Sequence, residues 1–316
     1  MTVQAISLSD PASGARASIL PGFGFNCYRF AVPVAGRPVE VLWAEPGFES
    51  GQKRASGSGI PLLFPYPGRL RGQTLQWRGR AYPLEGDDHR GNAIHGYVLN
   101  RPWRVLEQGT ARVVGQFQAS VDDPSLRDRW PADFRITATY ALSGTALSSE
   151  FLIENPSDQP LPCGFGTHPY FRVPLAAGDA AECRVALPVT RRWELADMLP
   201  TGRQLKVDEP DTFRRGLPFP EMQFDDVFTG LQFEREWCHA AVVDPRGGCR
   251  LVVEFDAAFR ECVVYNPPHR EAVCIEPYTC VPNAVELTAG GADTGLRVLE
   301  PGQSFRARVV MRVEEL

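Results

Sequence analysis

Apolar and polar residues alternate in short runs along most of this chain, and turn-forming residues separate the runs. From Arg135 to Leu142, for example, every second residue is apolar, which is the period of a half-buried β-strand. No window of twelve or more residues has a convincing helical period. The 28 prolines and 29 glycines are spread along all 316 residues, as expected for many short strands joined by turns. The pattern therefore predicts an all-β fold.

Several pairs of these runs are separated by only a few turn residues and predict β-hairpins. The predicted hairpins join residues 135–142 to 147–153, residues 240–243 to 251–255, and the two halves of 74–84. At the C-terminus, alternation predicts one strand face that carries Phe305, Ala307, Val309, Met311 and Val313. The clearest helical signal, in residues 124–130, predicts only one or two turns.

The chain has no low-complexity linker, composition break or short internal repeat. We therefore expect residues 1–316 to form a single all-β domain, with two large antiparallel sheets packed face to face. A sandwich, a barrel and a propeller share this periodicity, so the pattern alone does not distinguish among them.

Charge and the N-terminal sequence disfavour several classes of partner. The formal net charge is -5 and no basic run reaches five residues, which disfavours nucleic-acid binding. The first residues lack the charged and apolar regions of a signal peptide, and no apolar stretch is long enough to span a bilayer. We therefore expect a cytoplasmic protein with no membrane or nucleic-acid partner, and leave its oligomeric state open.

The even number of cysteines could suggest disulfides. The chain has 8 cysteines, none in a C-x-x-C pair, so no zinc site is signalled. Without a secretory signal, we expect buried free thiols rather than disulfides.

Two histidines and a glutamate lie in apolar surroundings. His168 lies between two apolar runs, His95 directly precedes Gly96, and Glu276 follows the apolar residues 272–275. A carboxylate and an imidazole are a suitable base and acid near neutral pH, and burial raises the pKa of a carboxyl. Each has a structural alternative: a histidine bonded to a backbone carbonyl, or a glutamate in a salt bridge. We also expect Pro277 to end strand pairing after Glu276.

Two further segments contain weaker candidates. Arg69 ends an apolar run and could present its guanidinium to sugar hydroxyls, although as an isolated feature it is better explained by a surface ion pair. Asp225 and Asp226 lie between aromatic residues, and because neighbours on a strand face opposite ways, only one can enter a given pocket. No role is assigned to the other histidines, which are His89, His239 and His269.

Taken together, these segments resemble the aldose 1-epimerase (galactose mutarotase) family. The likeness covers about residues 59–284 and consists of five elements in the family's order and at family-like spacing. They are the Gly-Ile-Pro-Leu-Leu-Phe-Pro run closing on Arg69, His95-Gly96, Thr167 to Phe171 around His168, Asp225 before Phe228, and Glu276-Pro277 leading to Pro282-Asn283-Ala284. Each element alone is weak, but the ordered set is specific.

The resemblance implies a large antiparallel β-sandwich, the galactose mutarotase-like supersandwich, with a shallow sugar cleft and no metal or organic cofactor. It implies that Glu276 is the general base for the C1 hydroxyl and that His168 is the general acid for the ring oxygen. Arg69, His95 and Asp225 would hold the hydroxyls and the ring oxygen. The family's motif selects Asp225 over Asp226.

Two positions depart from the family's pattern. Gly68 stands where the family often has asparagine, and Tyr278 stands where it often has glutamine. Both would line the cleft, so we include Tyr278 among the expected substrate-binding residues. The departures leave the preferred sugar open and the acid–base pair intact.

The expected activity is therefore that of an isomerase, a mutarotase that interconverts the α and β anomers of a free hexose. The main alternative is a hexose-6-phosphate 1-epimerase, which needs a basic subsite; the candidates for that subsite are Arg71, Arg101, Arg172 and Arg270. A non-catalytic sugar-binding protein on the same fold is a further alternative. A glycoside hydrolase is disfavoured because its usual machinery is two carboxylates.

Overall fold

The structure is a computed structural model that describes residues 4–316. Strands dominate this range, in agreement with the sequence pattern. In chain order they are β1 (Ile6–Ser9), β2 (Arg16–Leu20), β3 (Asn26–Val34), β4 (Arg37–Glu40), β5 (Leu62–Leu63), β6 (Arg69–Leu70), β7 (Thr74–Trp77), β8 (Arg80–Pro83), β9 (Ala93–Ile94), β10 (Arg104–Gln108), β11 (Arg112–Gln118), β12 (Arg135–Ser143), β13 (Ala146–Glu154), β14 (Leu161–Cys163), β15 (Gly166–Thr167), β16 (Tyr170–Arg172), β17 (Arg184–Ala186), β18 (Arg191–Ala196), β19 (Leu199–Lys206), β20 (Leu217–Pro218), β21 (Asp225–Thr229), β22 (Trp237–Asp244), β23 (Cys249–Asp256), β24 (Glu261–Tyr265), β25 (Ala272–Tyr278), β26 (Arg297–Leu299) and β27 (Ser304–Glu315).

The helices are short and connect strands. The α-helices are α1 (Ala119–Asp122), α2 (Pro210–Arg215) and α3 (Ala284–Ala289), and the 3-10 turns are Phe48–Ser50, Ala55–Gly57, Val98–Asn100, Pro124–Asp128 and Phe219–Glu221. The turn predicted in residues 124–130 is confirmed, and the Asp123 carboxylate caps it by accepting a hydrogen bond from the Ser125 backbone N–H. Of the helices in residues 4–316, none has the length and apolar character needed to cross a bilayer.

The predicted hairpins are confirmed. Strands β12 and β13 pair in register from Arg135 opposite Glu154 to Ser143 opposite Ala146. Strands β22 and β23 pair across the turn at residues 245–248, and β7 pairs with β8. On β27 the predicted inward residues from Ala307 to Val313 are buried, and Phe305 is partly buried against the same core. Local alternation therefore predicted both where these strands lie in the sequence and, for β27, which side chains face the core.

Two large antiparallel sheets make up most of the fold. One has the strand order β10-β11-β12-β13-β27-β23-β22-β17-β20. The other has the order β19-β18-β21-β24-β25-β15-β5, with β16 also paired to β25. A four-stranded sheet of β1 to β4 and the short pairs β14-β26, β6-β9 and β7-β8 complete the strands.

One apolar core joins the two large sheets. It contains Ile136, Phe151 and Val309 from the first sheet and Val264 and Ile275 from the second. Burying one face of each sheet removes apolar surface from water, which is the main force that holds such layers together. The predicted pair of packed antiparallel sheets is confirmed, and so is the prediction of buried free cysteines.

Strand β25 is buried on both faces, and this places the candidate site. Val273 and Ile275 face the core, whereas Cys274, Glu276 and Tyr278 face the opposite side. A carboxylate in the middle of an entirely buried strand is unusual unless it is paired or functional.

The expectation that Pro277 ends strand pairing was wrong. Pro277 lies opposite Cys262, and pairing continues to Tyr278 opposite Glu261. Proline removes one N–H donor but keeps its carbonyl and a φ compatible with an extended strand. The neighbouring residues therefore remain in register, and Glu276 lies inside the strand rather than at its end.

Candidate active site

A cleft of about 230 Å³ opens on the face of the β21–β24–β25 sheet that is turned away from the core. Val227, Val263 and Glu276 contribute to its lining, one from each of these strands. The cleft also brings together every site residue that the sequence predicted, which are Arg69, His95, His168, Asp225, Glu276 and Tyr278.

The Glu276 carboxylate is held on both oxygens. Its Oε1 lies 3.4 Å from Nε2 of His168. Its Oε2 accepts a hydrogen bond of 2.7 Å from the Tyr278 hydroxyl. The side chain is only 2% exposed, so these contacts replace water around the carboxylate.

His168 is positioned by its backbone and by an aromatic neighbour. It follows β15, and its N–H donates to the carbonyl of Pro61 at 3.0 Å. Its ring stacks on the ring of Tyr170, with centroids 4.9 Å apart and planes inclined by 7°. The Tyr170 hydroxyl in turn donates to the Ser56 carbonyl. This packing fixes the ring so that Nε2 faces Glu276.

His95 approaches the same pair from a strained turn. It follows β9 with a φ of 70°, a region that residues with side chains seldom adopt outside turns and functional sites. The edge-to-face contact of its ring with the His168 ring has a centroid distance of 5.5 Å. Gly96 makes the turn possible, because a Cβ there would lie 2.1 Å from the carbonyl oxygen of Phe64.

Arg69 is held in the cleft by carboxylates. Its Nε donates to Asp88 Oδ2 at 3.1 Å, and its NH2 group lies 3.9 Å from Asp225 Oδ2. The Asp88 side chain is 1% exposed. Burial acts to raise the pKa of Asp88, but hydrogen bonds from Asn92 and Arg90 and the charge of Arg69 together lower it. Asp88 therefore remains a carboxylate that anchors the guanidinium.

The two adjacent aspartates of β21 face different surroundings. Asp225 lines the cleft, whereas Asp226 pairs with Arg192 at 3.1 Å. Burial is the main cause that raises the pKa of Asp225, and the nearby Arg69 opposes it. The strand alternation thus leaves one aspartate for the cleft.

Burial favours the uncharged forms of Glu276, His168 and His95. It raises the pKa of Glu276 well above its usual value, against the opposing hydrogen bond from Tyr278. It lowers the pKa of His168 to about 3 and that of His95 well below its usual value. These surroundings therefore favour a protonated Glu276 next to a neutral His168.

Cys274 is the additional group that a metal could use here. Its Sγ and donor atoms of His168 and Glu276 lie within 4.8 Å of one another. Burial raises the pKa of the Cys274 thiol well above its usual value, so in these surroundings it is a neutral thiol. Both oxygens of Glu276 also face protein groups, so this donor set does not lead us to propose a metal site.

Several cleft residues were missed by sequence reasoning. Arg54, Asp88 and Tyr265 also line the cleft. Asp88 lies in a polar, turn-like stretch that resembles any solvated loop, and Arg54 follows a similar one. Nothing in their local sequence separates them from surface residues, because their place in the cleft depends on chain segments far away.

The sequence matches a known protein family and is similar to a known bacterial protein. A family model described as Aldose 1-epimerase matches residues 5–312. The chain is also similar to the uncharacterized protein YphB of Escherichia coli, with 23% identity over 300 residues, which cover 89% of this chain and 94% of that protein.

Solved structures show the same fold. A galactose mutarotase-like protein from Clostridium acetobutylicum superposes with a TM-score of 0.84 at 22% identity, over 96% of this chain and 94% of that one. A GalM/aldose epimerase homologue from C. elegans superposes with a TM-score of 0.80 at 18% identity, over 99% of each chain. The predicted galactose mutarotase-like β-sandwich is confirmed.

Proposed function

This chain belongs to the aldose 1-epimerase family, and from that premise we propose that it interconverts the α and β anomers of a free hexose. One observation carries the proposal. Glu276 Oε1 and His168 Nε2 lie 3.4 Å apart in a cleft that Arg69, His95 and Asp225 also line. A carboxylate and an imidazole this close can act on two neighbouring oxygens of one small substrate.

The proposed reaction moves two protons in each direction. In ring opening, Glu276 takes the proton of the C1 hydroxyl while His168 gives a proton to the ring oxygen. The bond between C1 and the ring oxygen breaks, and an open-chain aldehyde forms. After rotation about C1–C2, the hydroxyl that was formed from the ring oxygen attacks the other face of the C1 carbonyl. His168 then takes back its proton and Glu276 returns one to the C1 oxygen.

The number of protons shared by Glu276 and His168 supports this reaction sequence. A protonated Glu276 next to a neutral His168 holds the same number of protons as the carboxylate–imidazolium pair that begins ring opening. The pair therefore changes from one form to the other by an internal proton transfer, without exchange with solvent. The two groups titrate as one coupled unit with two macroscopic pKa values.

The rate should accordingly be bell-shaped in pH. Activity is lost at low pH when the pair takes a second proton, and at high pH when the pair loses its single proton. Because burial lowers the pKa of His168 to about 3, we expect the acid limb well below pH 6. Measuring kcat from pH 3 to 10 tests this, and an acid limb near pH 6.5 would contradict the coupled pair.

Charge in the cleft favours a free hexose over a phosphate ester. The arginines suggested for a phosphate site are engaged elsewhere. Arg71 pairs with Glu286, Arg101 with Glu85 and Asp123, and both Arg172 and Arg270 donate to backbone carbonyls. Arg69 is already paired with carboxylates. Arg54 also lines the cleft and has no carboxylate partner among the described residues, so a phosphate subsite there would depend on this arginine alone.

Anomer exchange measured by NMR or polarimetry tests the proposal. Samples of α-glucose, α-galactose and glucose 6-phosphate should show faster exchange for the two free sugars than in buffer alone. Glu276→Gln and His168→Asn should each reduce the rate by about 10²–10⁴-fold, the usual contribution of one positioned acid or base.

A second histidine–glutamate pair provides the control. His239 Nδ1 lies 3.2 Å from Glu254 Oε1 on β22 and β23, outside the cleft. His239→Asn and Glu254→Gln should leave the exchange rate unchanged. A folded wild type that accelerates no aldose would refute the enzyme and leave the sugar-binding alternative, whereas a strong preference for the phosphate ester would change the substrate only.

A further inference from the structure

The Tyr278 hydroxyl makes the shortest direct contact to the candidate base. It donates to Glu276 Oε2 at 2.7 Å, and both residues are buried. The two residues are two positions apart on β25, so their side chains leave the same face of the strand. A hydrogen bond from a phenol to a buried carboxyl is charge-assisted, and therefore stronger, when the carboxyl is ionised.

Two glycines make room for the Tyr278 ring. A Cβ on Gly166 would lie 2.5 Å from Cδ1 of Tyr278. A Cβ on Gly68, which has a φ of 65°, would meet Pro282 at 2.7 Å and Tyr278 Cε2 at 3.4 Å. Gly68 and Tyr278 are the two positions at which this chain departs from the family pattern. They therefore form one structural unit rather than two separate changes.

We propose that Tyr278 is a positioning residue that orients the Glu276 carboxylate and favours its ionised form, rather than a residue that binds the sugar. This inference rests on the proposed function, because it assigns Tyr278 a role in the same proton transfer. With Oε2 held by the phenol, Oε1 is the oxygen that faces His168 and is left to take the proton of the substrate.

The groups around Glu276 change its pKa to different extents and in different directions. His168 faces Oε1, Asp225 and Arg69 approach from β21 and β6, and the thiols of Cys262 and Cys274 lie nearby. Burial raises the pKa of Glu276 most; Tyr278 is the largest influence that lowers it, ahead of Arg69, while Asp225 raises it. Removing the phenol hydroxyl therefore moves the shared proton toward Glu276 and reduces the population of the carboxylate–imidazolium pair.

Tyr278→Phe separates the two roles kinetically. If Tyr278 positions the base, kcat falls by roughly 10–100-fold, the effect of one hydrogen bond to a charged group, while KM changes by less than about two-fold. The alkaline limb of the pH–rate profile also moves to higher pH, because the pair holds its proton more tightly. A raised KM with unchanged kcat would instead make Tyr278 a sugar contact and overturn the proposal.

Two further variants test the geometry. Gly166→Ala pushes the ring away from its position and should reproduce the Tyr278→Phe pattern, whereas Gly178→Ala, which has open space around it, should not. Tyr140→Phe removes the hydroxyl of another fully buried tyrosine, on β12, and should leave the pH–rate profile unchanged.

A titration that needs no turnover distinguishes failure of this inference from failure of the proposed function. With carbon-13 labelled glutamate, NMR follows the Glu276 carboxyl, and the Glu276→Gln protein identifies its signal. Its pKa should be higher in Tyr278→Phe than in the wild type. If the wild type shows no epimerase activity, the proposed function fails while this shift still reports the hydrogen bond. An unchanged pKa would overturn the role of Tyr278 even in an active enzyme.

Discussion

Asp88 lies outside any recognised motif, yet it fixes the position of the Arg69 side chain in the cleft. The Asp88 side chain is buried and bonded to Asn92, to the backbone N–H of Arg90 and to the guanidinium of Arg69. An arginine at the edge of a cleft otherwise has several rotamers of similar energy. Asp88 anchors the Nε of Arg69. The NH2 group of Arg69 then lies near Asp225 on the cleft wall.

We predict that Asp88→Asn weakens substrate binding more than chemistry. The amide keeps the size of the side chain but loses the charge that holds Arg69, at a cost of about 1–2 kcal/mol. KM for the preferred hexose should rise roughly 5–30-fold with a smaller change in kcat. The neighbouring exposed Asp87, changed to Asn, serves as the control. An unchanged KM in Asp88→Asn would show that Arg69 does not contact the sugar.

At the scale of elements, the site depends on how β25 is flanked. Strand β24 pairs with it on one side, and β15 and β16 pair with it on the other. This central position buries Glu276 and also brings His168 to it, since His168 lies in the link between β15 and β16. The acid and the base therefore come from neighbouring strands of one sheet, and a shift of one residue in register would turn Glu276 into the core.

The turn that carries His95 is a second element on which the cleft depends. Gly96→Ala should destabilise the protein and displace His95, because its Cβ would lie 2.1 Å from the Phe64 carbonyl oxygen. Gly91→Ala is a matched control, since Gly91 also has a positive φ but open space around it. Chemical denaturation should show Gly96→Ala less stable than this control by roughly 1–3 kcal/mol. Equal stability of the two variants would contradict the predicted clash.

At the scale of the whole molecule, stability should depend on pH through a buried carboxyl outside the cleft. Glu261 is 2% exposed and accepts a hydrogen bond from Trp193 at 2.9 Å. Burial is the main cause that raises the pKa of Glu261 from 4.5 to about 7, although the hydrogen bonds from Trp193 and Thr229 oppose it. The folded state therefore holds this proton more tightly than the unfolded state.

The sign of the effect follows from that difference. The stabilisation is complete below about pH 4.5 and is lost as pH rises through about 7, amounting to about 3 kcal/mol over this window. Glu261→Gln lacks this titration. Between pH 4.5 and 7.5, the free energy of unfolding of the variant should therefore rise by about 3 kcal/mol relative to that of the wild type. The exposed Glu300, changed to Gln, should leave the curve parallel to the wild type. A parallel curve for Glu261→Gln would contradict the raised pKa.

The sequence by itself determined the strands, the hairpins and the all-β class. These depend on alternation with a period of two and on local turn residues, as in residues 135–153 and 304–315. It also supplied, through resemblance, six of the residues that line the cleft. Pro277 was misjudged because its effect depends on the pairing of its neighbours rather than on its own identity.

Only the tertiary structure decided which side chains meet. It paired Asp88 with Arg69, bonded Tyr278 to Glu276, and brought Arg54 to the wall of the same cleft. These contacts join segments that are distant in the chain, and they depend on sheet order and register. Local periodicity carries no information about either, because the same alternating strand fits at any place in a sheet until its neighbours are specified.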